Sequence, residues 1–312
     1  MISLKNKKIV ITGGAGFIGS HVSEALLAEG AQVVIVDDFS TGREENIASC
    51  VHSVTLVRGS ITDLELMKKA CADAFAVVHL AALPSVPKSI QFPLETHAAN
   101  STGTLAVLMA AHESGVDRVV FATSSSVYGD TPTLPKVETM PTHPLSFYAI
   151  HKLTGELYAR VSHSLFGLKT IGLRYFNVFG PRQNPHSEYA AVIPKFVTLI
   201  KQGTRPQIYG DGEHTRDFTY VANVVHANIQ ALKAEQGFGE VFNIAGGKQI
   251  SLNDLVRQIN THFGSSISPE YAPARKGDIK DSFADISKAR QVLGFEPVVN
   301  FEDGLKKTID SL

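Results

Sequence analysis

The chain has 312 residues, enough for one large α/β domain or two modest ones, and 44% of them are hydrophobic, ample for a packed core. Its 29 basic and 30 acidic residues leave a formal net charge of -1, so no global field draws it to nucleic acid or an anionic membrane. Any anionic ligand must then be held by local arginines or backbone amides, and two cysteines, Cys50 and Cys71, exclude a disulfide framework and fit no zinc or redox spacing.

The first residues are lysines followed by an apolar run, but Thr12, Gly13 and Gly14 break that run long before the roughly 18 apolar residues of a membrane span. The protein is therefore expected in the cytoplasm, with both thiols reduced.

Short β-branched runs alternate with amphipathic stretches through the first 175 residues. KIVIT, QVVIVD, VTLV, AVVHLA, RVVFATSS and TIGLRY read as buried strands. Helical patterns lie between them, FIGSHVSEALLAEG closing on Gly30 and NSTGTLAVLMAAHESG, opened by Asn100, closing on Gly115. Such alternation predicts a doubly wound parallel sheet, Rossmann-like, whose ligands bind outside the carboxyl ends of the strands.

Beyond residue 176 the pattern loosens into Pro- and Gly-containing loops. A helix is expected near residues 190–203, a short strand in PQIYG, a helix over 221–235, and a strand in EVFNIAGG that returns to the main sheet. Ser251 and Asp254 have the spacing of a capping box ahead of another helix, and helices around 286–312 close the chain. The expected division is a nucleotide-binding domain of residues 1–176 plus about 217–247, and a smaller C-terminal α/β substrate domain of about 177–216 plus 248–312.

The segment TGGAGFIG sets Gly13, Gly16 and Gly19 between a strand and a helix, where the chain can turn tightly and approach a pyrophosphate at the positive helix end. Asp37 ends the next strand at the spacing expected of an acid that accepts from a ribose hydroxyl. A carboxylate there repels a 2'-phosphate and no arginine follows at once, which favours NAD over NADP. Asp38 can share that role or be a solvated loop acid, and Asn100 can be a helix cap or a cofactor contact.

In FYAIHK, Tyr148 and Lys152 stand four apart on an expected helix and share a face. Taken alone, such a pair is more often a boundary aromatic and a surface lysine. A phenol with an ordinary pKa of about 10 is a poor base at neutral pH. A lysine charge and a positive nicotinamide ring nearby would favour its phenolate. Ser124, Ser125 and Ser126 end the fifth strand at the same sheet edge, where they can hydrogen-bond a substrate hydroxyl.

With TGGAGFIG, SSSVYGD, YAIHK, RYFNVFGPRQ, TRDFTYV and ADISKA in order along nearly the whole chain, the sequence resembles the extended short-chain dehydrogenase/reductases, and within them the UDP-sugar 4-epimerases. The resemblance implies that Tyr148 takes the proton of a sugar C4 hydroxyl while hydride passes to a tightly bound NAD. The resulting 4-keto sugar turns over, and hydride returns to its other face. Lys152 would bind the nicotinamide ribose, and Ser124 would orient the sugar hydroxyl, with Ser125 and Ser126 close behind. Phe17, Ile18, Ser60, Ile61, Leu80, Ala81 and Ala82 would complete the cofactor wall. Arg216 and Arg275 would grip the substrate diphosphate with Asn177, and Asp278 would accept from the uridine ribose.

Ser60 replaces the family's usual aspartate near the adenine, and Pro84 stands where galactose-type enzymes carry a lysine. Related dehydratases carry an Asp-Glu pair, and decarboxylases a glutamate, where this chain has its serines. Ser282 aligns with a gate that is a tyrosine in enzymes restricted to non-acetylated hexoses and small in those accepting an N-acetyl group. The expected activity is thus UDP-N-acetylglucosamine 4-epimerisation, with UDP-glucose a further candidate substrate. UDP-glucuronate is the nearest competitor, epimerised or decarboxylated, with Arg182 or another cleft cation to meet its carboxylate; an inactive NAD-sensing module is the remote one. No metal site is expected, His79 and His151 reading as packing or solvated residues. Apolar faces on the helix after Asn100 and on the Tyr148 helix suggest a homodimer.

Overall fold

A computed structural model describes residues 2–184, 191–274 and 281–312. Every sheet strand read from the sequence forms: β1 (Lys8–Thr12), β2 (Gln32–Asp37), β3 (Val54–Arg58), β4 (Ala76–His79), β5 (Arg118–Ser124), β6 (Lys169–Tyr175) and β7 (Glu240–Ile244). They hydrogen-bond in the order β7-β6-β5-β4-β1-β2-β3, all parallel. The order reverses between β1 and β4, and the crevice beyond their carboxyl ends is where such sheets bind ligands. β4 is shorter than its apolar run, because Leu80 and Ala81 leave the sheet to line that crevice.

The strands are apolar throughout because both faces are covered. Ile9 and Ile11 of β1 join Val33, Ile35, Val120 and Leu173 in one cluster, while Val10 joins Val34, Val36, Val77 and Phe121 in the other. Helix α1 (Phe17–Ala28) covers the first face, and α2 (Leu64–Cys71), α3 (Gly103–Glu113) and α4 (Phe147–Phe166) cover the second. The helix expected to open at Asn100 begins earlier: Pro93–His97 runs into a π-helical segment, Ala98–Thr102, and then into α3. Asn100 is thus inside a helical run rather than at its start.

Ser146 caps α4 by accepting from the Ala149 amide, and Gly167 ends it in the left-handed conformation. Its buried residues are small (Ala149, Gly155, Ala159, Ser162) apart from His151 and Glu156, and Glu156 pairs with Arg174 of β6 at 2.6 Å and accepts from Thr123 of β5 at 2.7 Å. Both ion-pair partners are buried, and losing one of such a pair typically costs about 3–5 kcal/mol. This pair pins the Tyr148 helix to the two strands beneath it.

Helix α5 (Val192–Lys201), α6 (Val221–Lys233), α7 (Leu252–Phe263), α8 (Ser287–Leu293) and α9 (Phe301–Asp310) follow. α6 and α8 pack on the first sheet face. α5, α7 and α9 enclose a third cluster around Phe179, Phe196, Phe218 and Phe301. Ala284, Ile286, Ala289, Leu293 and Phe295 pack into the cluster on the first sheet face. Ser251 caps α7 by accepting from the Asp254 amide at 3.0 Å, but the Asp254 carboxylate turns to Arg257, so the capping box is only half made.

Candidate active site

A cavity of about 920 Å³ opens at the carboxyl edge of the sheet. Its wall carries Gly13, Gly16, Phe17, Ile18, Gly19, Asp37, Asp38, Ser60, Ile61, Leu80, Ala81 and Ala82 at one end, and Ser124, Ser125, Ser126, Tyr148, Lys152, Asn177, Arg216 and Ser282 at the other. These groups come from segments far apart in the chain. Arg275 and Asp278 lie outside the described residues.

At the β1–α1 turn Gly13 has φ +71, and a Cβ there would meet the Ala81 amide nitrogen at 2.7 Å. Gly19 is tighter, since its Cβ would come within 2.1 Å of the Gly13 carbonyl oxygen. Helix α1 starts with no side-chain cap and no acidic residue in its first turn, which leaves donors and positive dipole facing the cavity. Asp37 is buried, and its two oxygens accept from the Ala15 and Phe39 amides, both at 2.8 Å. Burial pushes its carboxyl above the usual range, against the pull of those two amides. This set fits a dinucleotide: amide donors for a pyrophosphate, a carboxylate for a ribose, and room for both.

Asp38 is exposed and closes a turn onto Ser40. Ser60 turns its hydroxyl to Thr62 at 2.8 Å. Arg43 reaches the wall at the Asp38 end, a cation overlooked in sequence because it lies beyond the strand end. Lys88 likewise lines the wall near Pro84, four residues along, paired with Glu95 at 2.9 Å.

Asn100 turns its side chain to the loop at Leu83. It is buried and absent from the wall, and its side-chain amide accepts from the Leu83 N–H at 2.7 Å and donates to the Leu83 carbonyl at 3.1 Å. It holds the loop behind the wall. His79 belongs to the same support: Thr104 donates to the Asn100 carbonyl, so it accepts from His79 Nε2, while Nδ1 accepts from Thr12. Burial, aided by the Lys152 charge, lowers His79 to about 3, so the ring is neutral.

Tyr148 and Lys152 share one face of α4, as their spacing requires. Ser124, at the end of β5, hydrogen-bonds the Tyr148 side chain; burial pushes the phenol up and this bond opposes it. Lys152 Nζ donates to the Ala122 carbonyl at 2.9 Å and lies 6.0 Å from the Tyr148 ring centre. Burial lowers the ammonium to about 8. In the chain without cofactor the net effect on the phenol is thus upward, and the expectation that the lysine and a positive nicotinamide together favour the phenolate concerns the loaded site.

Asn177 donates to the Asp217 carbonyl at 2.9 Å and reaches the Ser282 hydroxyl at 3.4 Å. Ser282 in turn donates its amide to the Thr215 carbonyl at 3.1 Å. Arg216 reaches the cavity from the strand Thr215–Asp217. Arg182 lines the cavity, but its guanidinium is paired with Glu24 of α1 at 2.6 Å, which holds the Glu24 carboxyl below its usual range.

A glycine cradle, a ribose acid and a Tyr–Lys–Ser cluster facing one cavity are matched by the sequence profile of the NAD dependent epimerase/dehydratase family, over residues 9–245. The chain belongs to that family. A UDP-N-acetylglucosamine 4-epimerase from Methanobrevibacter ruminantium, solved with UDP-N-acetylmuramic acid, superposes with a TM-score of 0.94 at 41% identity, covering 98% of each chain. The UDP-glucose 4-epimerase of Mycolicibacterium smegmatis is 38% identical over 97% of both sequences. A UDP-glucuronic acid 4-epimerase from Bacillus cereus, solved with UDP-glucuronic acid and NAD, has a TM-score of 0.90 at 33% identity, covering 97% of this chain and 98% of its own. As a member of this epimerase family the protein is an enzyme, an isomerase, and its cofactor is NAD. Among the described residues no helix is long and apolar enough to cross a membrane.

Proposed function

We propose that the enzyme interconverts the C4 epimers UDP-N-acetylglucosamine and UDP-N-acetylgalactosamine, and accepts UDP-glucose and UDP-galactose as smaller substrates. Ser282 carries this reading. It stands in the cavity wall where a tyrosine would fill the space, held by Asn177 and Thr215 rather than by a bulky neighbour.

NAD, when bound, supplies the hydride acceptor and donor. Tyr148 takes the proton from the sugar O4 and returns it after the 4-keto sugar has turned over. Ser124 holds the phenol and the same hydroxyl in line. Lys152 keeps a positive charge on that face, and at neutral pH an ammonium titrating near 8 is still mostly charged. Asp37 receives the adenosine ribose, and Gly13, Gly16, Gly19 and the start of α1 receive the pyrophosphate. Arg216 and Asn177 take the substrate diphosphate, with Arg275 and Asp278 assigned by resemblance to the same nucleotide.

UDP-glucuronate needs a cation for its carboxylate, and Arg182, the candidate for it, pairs one guanidinium nitrogen with Glu24 and keeps another without a partner among the described residues at the cavity wall, so the uronate is the competing substrate to test. Decarboxylation and dehydration both lack an acidic side chain at Ser124–Ser126. A merely cofactor-sensing protein has no use for a phenol hydrogen-bonded to a serine at the cavity wall. The enzyme is expected to be cytoplasmic, in keeping with two buried free thiols, and to keep NAD through purification. It is also expected to pair with a second copy of itself. Ile150, Leu157, Val161 and Leu165 form an exposed apolar stripe along α4, with Ile90, Leu94 and Leu105 exposed on the neighbouring helices, the kind of surface that a second copy can cover.

The test is turnover of UDP-N-acetylglucosamine, UDP-glucose and UDP-glucuronate without added NAD, with products separated by chromatography. Ser282→Tyr should lose N-acetyl turnover by at least about tenfold while UDP-glucose turnover survives. Equal loss on both sugars would sink the gate, and preference for the uronate would sink the substrate.

A further inference from the structure

We infer that Asp217, which has no chemical part in the reaction, is the positioning residue that sets Arg216, Asn177 and Ser282 for the nucleotide-sugar. The inference rests on the UDP-sugar reading given above.

Asp217 is wholly buried, and its carboxylate joins three distant stretches of chain. Oδ1 accepts from the consecutive amides of Gly246 and Gly247 at 2.9 and 3.0 Å, just past the end of β7. Oδ2 accepts from the Ala284 amide at 3.3 Å, two residues beyond Ser282. Paired backbone amides form a natural nest for an anion, and bonds to an ionised acceptor are stronger than neutral ones. The approach is close: a Cβ on Gly246 would fall 2.4 Å from the Phe218 carbonyl oxygen.

The same residue works from its backbone, because the Asp217 carbonyl accepts from Asn177, whose amide also touches Ser282. On the other side of Arg216, Thr215 donates its amide and hydroxyl to Asp281 at 3.0 and 2.7 Å and accepts from the Ser282 amide. The strand carrying Arg216 is only three residues long and pairs only with Gln249–Ser251 among the described residues. Little regular structure fixes it. The carboxylate clasp supplies the frame that the short strand does not.

Burial raises Asp217 to about 6, with the surrounding amides pulling the other way, so the group is ionised at neutral pH. In Asp217→Asn the side-chain oxygen can still accept from the two glycines, but its NH₂ faces the Ala284 amide, donor against donor. The 281–284 segment should then come away from the strand.

Calorimetric titration with UDP, NAD content by absorbance, and steady-state kinetics on the purified enzyme test this. Asp217→Asn should raise the UDP dissociation constant and KM about tenfold, the loss of roughly one charge-assisted hydrogen bond, with kcat and NAD content close to wild type. Thr215→Val removes the hydroxyl that donates to Asp281 and accepts from Gln249, loosening the Arg216 strand from the 281–284 segment without touching the Asp217 carboxylate, and should shift both constants a few-fold in the same direction should the first variant fold poorly. Unchanged UDP affinity in the variants, or a parallel loss of NAD, overturns the inference. Wild-type enzyme that fails to bind UDP overturns the UDP-sugar reading and the inference together.

Discussion

Replacing Lys152 by methionine should abolish turnover and yet relieve the cofactor-free enzyme of a pH-dependent instability. Burial brings the Lys152 ammonium from 10.5 to about 8. At about 1.4 kcal/mol per unit, charging this side chain in the folded state costs about 3 kcal/mol relative to the unfolded chain. The group binds its proton less tightly when folded, so the full stability is present above pH 10.5. It is lost as pH falls through about 8, and below about 7 the cost is constant. Methionine keeps most of the aliphatic stem without the charge, so the variant lacks this dependence. The bond to the Ala122 carbonyl shifts the absolute difference but hardly its change with pH, because a neutral amine can donate too. Thermal melts of both proteins, stripped of NAD, at pH values from about 7 to 10 read the effect. The melting difference should move in favour of methionine by roughly 6 °C as pH falls, at about 2 °C per kcal/mol for a chain of this size. A difference that stays constant across the range would mean that Lys152 is not desolvated as its position indicates, and would remove the argument that the site holds a strained charge.

Gly19→Ala should leave the protein without bound NAD, measured as cofactor absorbance after purification, because the new methyl would sit 2.1 Å from the Gly13 oxygen and must push the cradle open. Normal NAD content would show that the cradle yields more easily than its backbone contacts suggest. Leu157→Glu with Leu165→Glu, both on exposed positions of α4, should turn a dimer into a monomer in light scattering without loss of folding; a wild-type protein that is already monomeric at micromolar concentration rejects the second-copy reading.

Features that depend on near neighbours along the chain are legible in the residues themselves. Tyr148 and Lys152 are one helical turn apart, and the helix has its own serine cap and glycine stop. Gly13, Gly16, Gly19 and Asp37 belong to one strand–helix–strand unit, and Ser124 sits at a strand end that the apolar run marks. Asn100 is harder, because a polar residue before an apolar pattern looks like a cap. Its partner, Leu83, is 17 residues away, and only packing decides that the amide turns to that loop. Arg43, Lys88 and Asp217 carry no local sign of reaching the cavity or framing it.

The amino-acid order alone determined the alternation of strands and helices, the parallel sheet, the glycine turn and the reactive pair, since each follows from hydrogen bonding and side-chain period within a few residues. Tertiary structure decided how those pieces meet: that Arg182 pairs with Glu24 across 158 residues, that Lys152 is desolvated against Ala122, and that a buried carboxylate on a three-residue strand binds amides from residues 246, 247 and 284. Charge and hydrogen-bond partners are chosen by distance in space. Spacing along the chain does not encode that distance once a segment leaves its own helix or strand.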